Sequence, residues 1–164
     1  MKNVRLNALN MDVSVANNVF YFDEGYVQDL KPKLDFLKWK HGIGEYPVPN
    51  NAFGHMVCAD SGQGSFFYVF YLKSQDGWTD IRVRAHEETH ALDKMAGLQQ
   101  LNGRIRASGF NVNLPDYDYE TRACIGGWYS LVVWGQDLKP YGTMNQDDIR
   151  AYEILRQSRN GFKV

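Results

Sequence analysis

Five consecutive residues, His86-Glu87-Glu88-Thr89-His90, constrain this chain more than any other stretch of it. They spell HExxH, and the spacing has a meaning only on a helix. Residues four apart on a helix lie about 40° apart on one face, so the two imidazoles can reach a single cation. Zinc accepts such a pair, needs a third protein ligand, and keeps a fourth position for water. Glu87 falls about 100° round the helix from His86, beside that water rather than on the metal, where a carboxylate can take a proton. Chance would produce the motif roughly 0.004 times in a chain with this content of His and Glu.

The rest of the chain is compatible with one domain spanning residues 1–164, long enough to bury a sizeable core. Hydrophobic residues at 44% and charged residues at 23% describe an ordinary water-soluble globule. A net charge of −1 provides no field to recruit nucleic acid or an anionic membrane, so neither is an expected partner. No run of about 18 apolar residues is present, nor a secretory leader, and cytoplasmic residence is the expectation. Cys58 and Cys124 make no disulfide framework and are expected as unpaired thiols.

Residues 4–22 alternate loosely and read as one or two strands. A helix is predicted over 32–41, where the lysines form a solvated face. A hairpin is predicted from Gly54–Asp60 and Ser65–Lys73, turning at Ser61-Gly62-Gln63-Gly64. The motif helix is predicted from about Asp80 to Leu101, capped by Thr79 and ended by Gly103. A second long helix follows from the Asp116 cap through about Trp134, then an amphipathic one over about Asn145–Ser158. Strands first and helices after predict an α+β fold: a small, mostly antiparallel sheet with helices packed on one face.

On the motif helix, Asp93 and Gly97 share the ligand face, and Gly97 would admit a close neighbour. Arg84 and Glu88 fall on the opposite side, spaced as a surface ion pair, which predicts that this side is wet. For the third zinc ligand we select Glu120, in the first turn of the next long helix; Asp93, Asp116 and Asp118 are its rivals.

His86-Glu87-x-x-His90 followed by Glu120-x-x-Ala123 on a later helix resembles the gluzincin metallopeptidases. In size and layout the chain is most similar to the soluble minigluzincins. The resemblance covers roughly residues 51–135 and implies a zincin-like domain that hydrolyses peptide bonds with zinc on His86, His90 and Glu120, and Glu87 as general base. Asn51-Ala52-Phe53 resembles a segment that borders the active-site cleft in membrane-embedded relatives, which implies that it binds substrate backbone as an added strand. The chain departs from the family pattern at Cys124, where gluzincins carry an Asp that holds a zinc-bound histidine. Either Asp93 takes that role or the site is weakened. An oxyanion donor is also required, and Tyr117, Tyr119, Tyr129, Tyr141, Arg122 and His55 all qualify. The expected activity is that of a zinc metalloendopeptidase acting on a peptide or protein. The alternative is a zinc-binding regulatory or pseudo-enzyme module with the same fold and little turnover.

Overall fold

Every residue from Ala123 to Leu131 is buried, so the helix that carries them is apolar nearly all round and must sit inside the protein. In the computed structural model, which describes the backbone over residues 2–15, 18–22, 54–61, 64–71, 77–95, 97–139 and 144–159, it does. Side chains are described over residues 6–12, 77–95, 97–139 and 144–159. The elements in order are β1 (Lys2–Leu6), β2 (Met11–Val15), β3 (Asn18–Phe22), β4 (Gly54–Ser61), β5 (Gly64–Tyr71), α1 (Gly77–Lys94), α2 (Leu98–Ala107), α3 (Tyr119–Val133) and α4 (Gln146–Gln157). The central helix is α3, packed between α1 and α4.

This arrangement corrects the expected α+β layout with one mostly antiparallel sheet. The interpretable body is mostly helical, and its core lies between helices. The strands do not join into one sheet: β1 and β2 form a separate antiparallel ribbon, while β3, β5 and β4 form a mixed set in which β3 runs parallel to β5. The physical reason is α3 itself. A helix buried on all sides needs helical partners on several faces, which a single sheet face cannot supply.

Small residues set how closely α1 approaches α3. A Cβ added at Gly126 would land on the Thr89 side chain, and one at Gly127 would lie 2.9 Å from the Arg82 carbonyl oxygen. The second neighbour is backbone and cannot swing aside. Gly127→Ala is therefore expected to force the two helices apart and to cost about 1–3 kcal/mol, the usual range for overpacking a tight contact. Chemical denaturation measures this directly, and a variant as stable as the parent would contradict the close approach.

The predicted motif helix of Asp80 to Leu101 is in fact two helices. The Gly97 N–H donates to the Leu92 carbonyl at 2.8 Å as α1 ends, after which Gly97 stands at the N-cap of α2. It is thus off the ligand face, and Gly103 lies within α2 rather than at its stop. Thr79 is a buried residue inside α1 rather than its cap. Asp118, not Asp116, caps α3, accepting the Thr121 N–H at 2.9 Å. The last helix has a reciprocal capping box between Asn145 and Asp148.

On the side of α1 expected to be wet, Arg84 is partly buried and Glu88 fully so. Glu88 has no exposed surface, and its carboxylate accepts the backbone N–H groups of Ala8 (3.0 Å) and Leu9 (2.9 Å) in the turn between β1 and β2. Arg104 binds the Asn10 carbonyl at 2.7 Å, and Trp134 binds that of Ala8 at 2.8 Å. The turn is thereby sewn into the helical body, which explains why Leu6, Ala8, Leu9 and Met11 belong to the core. The helix predicted over 32–41 lies outside the described residues.

Candidate metal centre

The start of α3 is held in place from three directions. Asn102 of α2 accepts the Leu114 N–H at 2.9 Å and donates to Asn113 at 3.3 Å, fixing the segment that leads into the helix. Arg122 donates to Asp93 at 2.7 Å and to the Tyr117 carbonyl at 2.5 Å, tying the first turn of α3 to the end of α1. Tyr119 stacks on the His90 ring, with centroids 4.2 Å apart and planes 29° apart. Glu120, the next residue, is thereby aimed at the motif face of α1.

Its two oxygens meet the two imidazoles. Glu120 Oε1 lies 3.0 Å from His90 Nε2, and Oε2 lies 3.4 Å from His86 Nε2. Zinc bonds of about 2.0–2.1 Å in a tetrahedron separate neighbouring ligand atoms by about 3.3 Å, and both Glu120 contacts are close to that separation. His86, Glu87 and His90 also group as donors in their own right. Glu87 is farther out, with Oε1 3.9 Å from His86 Nε2, and is buried. It flanks the two imidazoles.

The electrostatics of the metal-free cluster follow from burial and proximity. Burial pushes the Glu87 carboxyl above its ordinary range, against the pull of His86 and His90. Burial disfavours charge on His86, but its contact with Glu120 and the nearby Glu87 outweigh this, and its pKa is raised. Hydrogen bonds from His86 and His90 hold Glu120 well below the carboxylate range. Burial, with Asp93, Glu87 and Glu120 nearby, pushes Tyr119 up to about 12.

The rivals for third ligand are engaged elsewhere. Asp93 is paired with Arg122, Asp116 accepts from Asn113 at 3.0 Å, and Asp118 caps α3 and meets Arg150 at 3.2 Å. Among the described residues no hydrogen bond joins Asp93 to either imidazole, which removes it as the partner of a histidine's outer nitrogen. Its place is beside α3, one turn past His90, where a guanidinium competes successfully for it. Instead Cys124 Sγ lies 3.5 Å from His86 Nδ1, while His90 Nδ1 is buried without a partner among the described residues.

Of the oxyanion candidates, Tyr119 and Arg122 border the cluster, whereas Tyr129 is buried and bonded to Ser108 and the Arg104 carbonyl. Tyr141, the His55 side chain and Asn51-Ala52-Phe53 lie outside the described residues. Sequence reasoning missed Asp148, whose carboxylate groups with His86 and Cys124. In the structure Asp148 closes a capping box with Asn145, and nothing in the sequence joins it to His86.

Comparison with protein families, curated proteins and solved structures finds no match to this chain. Among the described residues, no helix is long and apolar enough to cross a membrane.

Proposed function

We propose that this chain is a zinc-dependent metallopeptidase of gluzincin type, with His86, His90 and Glu120 holding the ion. The observation that carries the reading is the arrival of Glu120, from a separate helix, at 3.0 and 3.4 Å from the two Nε2 atoms. Zinc, when bound, would supply Lewis acidity, lowering the pKa of water and polarising a carbonyl. Glu87 would take a proton from the attacking water and return it to the leaving amine. Its buried setting raises its basicity toward that task. Tyr119 and Arg122, at the rim, would orient substrate or stabilise developing charge. The substrate on this reading is a peptide or protein, and the compartment is the cytoplasm.

The second reading is a zinc-binding regulatory module with little turnover. Cys124 and the His90 Nδ1, unpartnered among the described residues, favour it, because among those residues neither histidine of the proposed site has a direct carboxylate partner on its outer nitrogen to raise ligand basicity. Zinc analysis followed by a peptide-library digest separates the two readings. The parent chain should cut peptides, and Glu87→Gln should keep its zinc while losing about 10²–10⁴-fold in rate. Zinc binding without cleavage would select the module, and unchanged turnover in Glu87→Gln would place any activity elsewhere.

A further inference from the structure

We infer that Asp148 is a positioning residue for His86, acting through the Cys124 thiol. The inference rests on the reading of His86 as a metal ligand and extends it to Asp148 on α4, beyond the residues that the resemblance covers. The imidazole has two sides. Nε2 faces Glu120, and Nδ1 faces Cys124 Sγ at 3.5 Å. Behind the thiol, an Asp148 carboxylate oxygen lies within 4.8 Å of the sulfur and of an imidazole nitrogen. Arg82 closes the row, 3.1 Å from Asp148 and with its guanidinium 4.6 Å above the Trp128 ring.

Three elements thus deliver the row: Arg82 and His86 from α1, Cys124 from α3 and Asp148 from α4. All are buried except His86, which is partly buried. A thiol is a weak donor and a weak acceptor, so by itself it is a poor substitute for a carboxylate. A carboxylate behind it changes that. A thiol carries one proton to donate, and an Asp148 carboxylate oxygen stands within 4.8 Å of the sulfur to receive it. A proton held toward Asp148 leaves sulfur lone pairs facing His86 Nδ1–H, and hydrogen bonds in such a row strengthen one another. The imidazole is then held with Nε2 directed at the ligand cluster, the orientation that a metal requires. Arg82 balances the buried carboxylate, which would otherwise be costly to keep ionised.

The experiment uses the full chain, with zinc affinity measured by chelator competition. In a ¹⁵N-labelled metal-free sample, the His86 Nδ1 proton is followed by NMR for its exchange with water. Cys124→Ser retains a donor and an acceptor and should preserve both readouts. Cys124→Ala should weaken zinc binding by about 10–100-fold, the usual value of such outer partners, and expose the Nδ1 proton to exchange. Asp148→Asn should move both readouts in the same direction, whereas Asn145→Ala, which loses the α4 cap but keeps the carboxylate, should move neither. Unchanged readouts in Cys124→Ala would overturn the inference. So would an Asn145→Ala effect equal to that of Asp148→Asn, because Asp148 would then act only as a cap. A parent chain that binds no zinc would refute the metal reading, while the Nδ1 proton would still test the row.

Discussion

His90→Ala is expected to abolish stoichiometric zinc binding, and His86→Ala to do the same. On the proposed site each removes one of three protein donors, and a site of two ligands holds the ion far more weakly. The loss should exceed the about 10–100-fold attached to outer partners such as Cys124. His90 carries an added consequence, since Tyr119 stacks on its ring and would lose that support at the first turn of α3. Glu120→Ala should also release zinc, and would do so without disturbing α1, because the Glu120 side chain is half exposed at 51%. Metal analysis after dialysis reads all three. Full occupancy in either histidine variant would refute the assignment.

Glu88→Ala should produce the largest loss of stability among single changes near the motif. Although Glu88 lies between the catalytic candidate and the second histidine, it faces away from them into the core. Its removal leaves the Ala8 and Leu9 N–H groups without their acceptor where water does not reach. An unsatisfied buried donor costs about 1–3 kcal/mol, so the pair amounts to about 2–6 kcal/mol. For a chain of this size each kcal/mol lowers Tm by roughly 2–4 °C, well within the reach of calorimetry. Glu88→Gln keeps one acceptor oxygen and should fall between the parent and Ala. A Glu88→Ala chain with an unchanged Tm would show that the β1–β2 turn does not depend on this carboxylate.

The two variants also separate local from long-range information. The HExxH spacing depends only on helical geometry, so the meeting of His86 and His90 on one face could be read from five residues. The capping signals of Asn145 and Asp148 are equally local, and so are the limits of the last helix. By contrast, the wet-face expectation for Glu88 assumed that a charged residue opposite the ligands meets water. Its partners include backbone groups about eighty residues away, which carry no side-chain signature. The same holds for the Gly97 break in α1, where a capping geometry ended a pattern that otherwise read as one continuous helix.

What the sequence determined by itself was the pair of imidazoles on one face, the carboxylate beside them and the existence of a later helix bearing a carboxylate, because each is a matter of periodicity within one element. Only the tertiary structure decided which carboxylate met the imidazoles. The Asp93–Arg122 pair and the Asn102 tether set the register of α3 against α1, and register between helices is fixed by contacts distant in the chain. Tertiary packing likewise assigned Cys124 and Asp148 to the side of His86 away from Glu120, since α4 reaches that point only by folding back across α3. It also overruled the expected sheet-based layout, because the apolar surface of α3 is buried between helices.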